Sequence, residues 1–146
     1  MDTIQILTAT FYATGMMTIF SYVLSLMVHS NFREPEILAI LSCRLFLHHK
    51  NWLHTIIGWG LHILAGFAFV LVYSALWEYA LVPASLPTGV LIGGISGIVA
   101  IGIWFVVFKL HPDPPKLNFK GYYANLFFAH IVFAVFAVVG YNMLNI

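Results

Sequence analysis

The stretch from Leu53 to Trp77, LHTIIGWGLHILAGFAFVLVYSALW, contains no acidic residue, no lysine and no arginine. At 1.5 Å per residue it is long enough to cross roughly 30 Å of hydrocarbon. A segment in lipid must satisfy its own backbone hydrogen bonds, so the stretch reads as a transmembrane helix. Segments 4–28 and 123–144 have the same character, and 88–110 shares it up to Lys109 near its end. The expected fold is therefore all-α: a four-helix transmembrane bundle, up-down-up-down, forming one domain over residues 1–146.

Sixty-two per cent of the residues are hydrophobic and 8% are charged, against roughly one quarter charged in a soluble domain. The few charges are confined to the ends and connections. Arg33, Arg44 and Lys50 lie between the first and second spans, and Lys109, Lys116 and Lys120 lie at or beyond the end of the third. Four spans put both connections on one face. The positive-inside rule makes that face cytoplasmic and both termini external, with Asp2 and Glu78 as the acids of the opposite face. Met1-Asp2-Thr3 lacks the positive region of a signal peptide and no A-x-A-like site follows the apolar run, so the first span reads as retained. The single cysteine, Cys43, rules out an internal disulfide.

The first span carries Thr8, Thr10, Thr14, Gly15, Thr18, Ser21 and Ser25, the small and hydroxyl-rich composition of a helix that packs on helices. After it, Glu34-Pro35-Glu36 suits a first helical turn, and segment 34–47, too short to span and broken by Arg44, is expected in the cytoplasmic interface. In the second span Gly58 and Gly66 lie one turn either side of His62, on nearly the same face. The third span carries Gly89, Gly93 and Gly97 at four-residue spacing. That is a close-packing surface, either within the bundle or for a homo-oligomer or larger membrane complex.

The two halves of the chain align. At an offset of 82, Gly15 falls on Gly97, Ile19 on Ile101, Tyr22 on Trp104 and His29 on His111. At an offset of 68, His62 falls on His130, Ile63 on Ile131, Gly66 on Ala134, Val70 on Val138 and Tyr73 on Tyr141. The difference is about the length of segment 34–47, which reads as an insertion in the first half. Such an internal parallel two-helix repeat, about an axis along the membrane normal, would bring His62 and His130 to one depth on diagonal helices.

An ionisable residue within a span is a functional candidate, and imidazole is the mildest case because it can stay neutral. The sharpest reading is a bis-histidine haem b: His62 and His130 as axial ligands, Gly58, Gly66 and Ala134 leaving room for the ring, and electrons passing near the cytoplasmic face. A second is a transition-metal site drawing on His29, His54 and His111 as well, with Glu34, Glu36 or Asp113. His48-His49 and His54 lack a specific ligand spacing, and the several histidine boxes of membrane di-iron hydroxylases are absent. A third reading makes the two deep histidines hydrogen-bond partners of each other, of a Ser or Thr on the first helix, or of a carbonyl. An accessory subunit of a membrane complex and a lipid or apolar small-molecule binder complete the alternatives. No phosphate loop, nucleophile elbow or nucleic-acid patch is present.

The hydroxyl-rich first helix, the Gly-x-x-x-His-x-x-x-Gly pattern around His62 and the Ala129-His130 dipeptide resemble small four-span bacterial membrane proteins of no assigned activity. The resemblance covers most of the chain. It implies the fold and a place in a bacterial inner membrane, and it implies no reaction.

Overall fold

A computed structural model describes residues 2–46 and 52–143. The described residues form five helices: α1 (Thr3–Val28), α2 (Glu34–Phe46), α3 (Trp52–Glu78), α4 (Leu86–Leu110) and α5 (Phe119–Asn142). All but α2 are long and apolar enough to cross a membrane, so the chain is a multi-pass integral membrane protein. The outward surface agrees with that: Phe11, Leu64, Leu91 and Ile98 are all exposed, as side chains solvated by lipid tails can be. Polar groups lie inside instead, with Thr10, Thr14, Thr18, Ser21 and Ser25 buried along one face of α1.

Inside lipid the hydrophobic effect does not drive helices together, so close packing of small residues takes over. α5 is the most enclosed span and packs on α4 and on α1, while α3 packs on α2 and α1. The glycines of α4 set the first contact. Gly97 lies against the Phe127 backbone and Gly93 against Ile131, His130 and Ala134, while Gly89 faces Val138 and Val135. All three are buried in the chain's own α4–α5 contact, so of the two uses expected for the stripe it serves the one within the bundle. Gly140 does the same for α5 on the backbone of Ala9.

The α1 hydroxyls answer in part to their own helix. Thr10 Oγ1 donates to the Ile6 carbonyl at 2.8 Å and Thr18 Oγ1 to the Thr14 carbonyl at 2.7 Å. At the C-cap His29 adopts a left-handed conformation, φ 51°. That reversal turns the chain straight into α2.

α2 does not cross the membrane, yet one face of its first turn is enclosed: Glu34, Pro35 and Ile37 are buried. Gly58 of α3 makes this possible, since any Cβ there would run into the Pro35 carbonyl and the Ala39 backbone. The other end of α2 is tied to the α4–α5 connection. Arg44 pairs with Asp113 at 3.2 Å and donates to the carbonyls of Asp113 and Pro114, and the His111 ring meets the Leu41 carbonyl at 3.1 Å. The basic residues Arg33, Arg44, Lys109, Lys116 and Lys120 thus collect at the α2 end of the bundle.

At the far end Tyr73 of α3 shares a 2.6 Å hydrogen bond with Ser96 of α4, and Trp77 stacks near Tyr141 at 4.9 Å. Tyr73→Phe is expected to lower stability by about 0.6 kcal/mol, the average for such a contact in a membrane. Unfolding in mixed detergent and SDS would show it, and no change would mean that the hydroxyl contributes nothing to α3–α4 contact.

The residues paired by the internal alignment occupy different surroundings. A Cβ added at Gly15 would meet nothing within 4 Å, whereas Gly97 rests on α5. Tyr73 is buried against Ser96, whereas Tyr141 is half-buried beside Trp77.

Candidate functional site

α3 and α4 are consecutive but are not among the closely packed helix pairs, and a cavity of ≈ 210 Å³ lies between them. α1 contributes Thr14 and Met17, α2 Glu34 and Leu38, α5 His130 and Phe133. α3 and α4 supply the two walls, with Leu61, His62, Gly66 and Phe69 on one side and Ala100, Ile103, Trp104 and Val107 on the other. Leu61 is 45% and Ile103 52% exposed on the lipid-facing surface. The mouth therefore opens sideways, toward the bilayer interior.

The two deep histidines are buried and line this one cavity. Their hydrogen bonds set their tautomers. Thr18 Oγ1 spends its single proton on the Thr14 carbonyl, so at 2.9 Å from His62 Nε2 it can only accept. Neutral His62 accordingly carries its proton on Nε2 and leaves Nδ1 bare. His130 Nδ1 lies 2.9 Å from the Leu126 carbonyl, which also can only accept, so its Nε2 is the bare nitrogen. These are the hydroxyl of the first helix and the carbonyl that the sequence named as possible partners. Neither bare nitrogen has a hydrogen-bond partner among the described residues. Aromatic rings hold both imidazoles edge-on, Trp59 at 6.2 Å from His62 and Phe69 at 5.2 Å from His130.

Below the histidines α2 brings in Glu34, 2% exposed. Its Oε1 accepts from Ser21 Oγ at 3.0 Å and from Asn125 Nδ2 at 3.1 Å, joining α1, α2 and α5. Asn125 Nδ2 also donates to Ser21 Oγ at 3.1 Å. No basic residue pairs with Glu34 among the described residues. Its neighbour Arg33 is engaged with Glu36 at 3.0 Å and lies over the Tyr22 ring at 5.0 Å. Burial without a counter-charge raises the Glu34 carboxyl from its ordinary 4.5 to about 7, against the opposing effect of the bonds from its own backbone, Ser21 and Asn125. Both of those side chains donate to Oε1, so the proton of the neutral acid belongs on Oε2. That atom is buried and without a partner, as is Thr14 Oγ1 in the same cavity.

The remaining histidines disperse. His29 is exposed at the α1 C-cap, His54 is buried on α3 with Nδ1 3.2 Å from Ser42 Oγ, and His111 sits in the α4–α5 connection. His48 and His49 lie outside the described residues. No three His, Cys, Asp or Glu side chains converge as a metal site among the described residues. Of the small residues, Gly66 lines the cavity but faces Thr14 and Phe133 closely, Gly58 is covered by α2, and Ala134 is buried under Gly93.

The sequence marked Thr18 only as one of the first helix's hydroxyls and gave Asn125 no role. A lone asparagine in an apolar span was the available signal, since such a group must find a partner inside the bundle. No protein-family model, no curated protein and no solved structure matches the chain.

Proposed function

We propose that the protein binds a small lipophilic molecule, which enters sideways from the bilayer and is held by its polar head between His62 and His130. One observation carries this reading: an otherwise apolar cavity is lined by residues whose polar atoms, His62 Nδ1, His130 Nε2, Thr14 Oγ1 and Glu34 Oε2, have no partner among the described residues. A buried polar group left unpaired costs about 1–3 kcal/mol, so several gathered at one cavity favour a ligand that completes them. The lateral mouth suits a molecule dissolved in lipid. In this reading the Arg33, Arg44 and Lys109 end faces the cytoplasm, by the positive-inside rule, and the matched histidines are the functional remnant of a two-helix repeat.

A bis-histidine haem or metal centre is the second reading, favoured by the hydrogen bond that each imidazole donates from its other nitrogen. Metal-ligating histidines are oriented in that way. Size argues for the first reading. A volume of ≈ 210 Å³, below the roughly 300–1,000 Å³ of drug-sized ligand pockets, takes a small polar head whose tail stays in lipid rather than a whole macrocycle. The protein also fills the spaces at Gly58 and Ala134 that a macrocycle was expected to use.

Two measurements on detergent-purified protein separate the readings. Organic extraction and mass spectrometry are expected to recover a lipophile at near one equivalent from wild type, and little from Ala100→Phe, which fills the cavity wall. Equal recovery from both would place the molecule elsewhere and end the proposal. Spectra of haem-replete preparations are expected to lack a Soret band. A band abolished by His62→Ala or His130→Ala would establish the second reading instead.

A further inference from the structure

We infer that Glu34 is the third polar anchor of the cavity, donating a hydrogen bond from Oε2–H to an oxygen of the ligand, and that the ligand class is a neutral lipophilic quinol. The inference rests on the reading of the cavity as a lipophile site and names what that site takes. Ser21 and Asn125 occupy Oε1, which leaves Oε2, buried in the cavity wall, as the carboxyl oxygen without a partner. The histidines offer the opposite chemistry, with bare acceptors at His62 Nδ1 and His130 Nε2.

A ligand satisfying both must donate at two places and accept at one. A quinol does so with two hydroxyls, each of which also carries an acceptor oxygen. A quinone has acceptors only and would leave both imidazole nitrogens unpaired. A charged head fits no better, because the one ionisable acid of the cavity serves as a neutral donor and no lysine or arginine lines the walls.

Binding of this kind is linked to protonation. The titratable and charged groups around Glu34 are Tyr22 on α1, Arg33 and Glu36 beside it, His62 on α3, and Tyr122 and His130 on α5; α4 brings only Trp104 and apolar side chains to the cavity. The sign distinguishes them. A Glu34 donor weakens binding as pH rises, whereas imidazole acceptors would strengthen it.

The test is anaerobic isothermal titration calorimetry of the full chain in detergent, with a decyl-substituted benzoquinol and its quinone as probes. The quinol is expected to bind wild type at least tenfold more tightly than the quinone at pH 5.5. With the carboxyl at about 7, its affinity is expected to fall about 30-fold by pH 8.5, in proportion to the competent fraction. Glu34→Gln keeps an N–H donor without a titrating proton, so its affinity is expected to be equal at both pH values. If that variant does not fold, proton uptake by wild type on binding at pH 7.5, read in buffers of different ionisation enthalpy, replaces it. Binding of the quinol without pH dependence or proton uptake, or pH dependence retained in Glu34→Gln, would remove Glu34 as anchor and leave the cavity reading intact. Failure of both probes, while wild type still yields a lipophile that Ala100→Phe loses, would overturn the quinol class alone. Failure of both with no such lipophile would overturn the cavity reading too.

Discussion

Gly93→Leu is expected to prevent α4 from docking on α5 and to lower stability by about 3 kcal/mol, the upper end of what overpacking ordinarily costs. A Cβ at this position would stand 2.7 Å from Ile131 Cα and 2.8 Å from the His130 carbonyl oxygen. Both are backbone atoms, so no rotamer change relieves the contact and the helices must separate. Separation takes Ser96 away from Tyr73 and shifts the turn that carries His130, so the cavity is disturbed along with the fold. Gly102→Leu is the control. Its Cβ meets nothing within 4 Å, and a surface change of this kind stays within about 0.5 kcal/mol. SDS-titrated unfolding of the two variants beside wild type checks the expectation. Equal midpoints would mean that α4 and α5 do not approach as closely as described.

The second large effect is the pH dependence that Glu34 confers on stability without ligand. Its carboxyl is raised by burial from 4.5 to about 7 in the folded chain. Between those values the folded protein keeps a proton that the unfolded chain has released. Stability therefore falls as pH rises through this window, and is steady again above the folded value. A separation of about 2.5 units corresponds to about 3 kcal/mol in total. Glu34→Gln keeps the shape and removes the ionisation, so its stability curve is expected to be flatter by that amount and to lie above wild type at pH 8. Parallel curves for the two proteins from pH 4.5 to 8 would show that Glu34 is not buried as described. Asn125→Ala is a useful companion, because it takes away one of the two side-chain bonds to Oε1.

Hydropathy alone determined most of the architecture. The runs around His62 and His130 are too long and too poor in charge to be anything but spans, because an unpaired backbone cannot sit in hydrocarbon. The ends of the four spans expected at 4–28, 53–77, 88–110 and 123–144 lie within four residues of those of α1, α3, α4 and α5, apart from Leu144, which is outside the described residues. Glycine spacing on α4 also marked a packing surface correctly. Its partner was undetermined, because three glycines fit any close backbone equally well, and only the position of α5 decided it.

The site divides in the same way. His62 and His130 stand out in the sequence because a titratable group in an apolar run is costly. Which nitrogen each leaves bare depends on Thr18 and Leu126, and no periodicity encodes a tautomer. Glu34 is the clearest case. In sequence it is one of two acids opening a short helix at the membrane surface. Only the tertiary fold, with Gly58 admitting the backbone of α2 and with Ser21 and Asn125 meeting its carboxylate, takes it into the bundle beneath the histidines. A span is defined by the local free energy of transfer into lipid, which each segment carries in its own composition. A cavity is defined by what neighbouring helices leave unfilled, and that is a property of their packing.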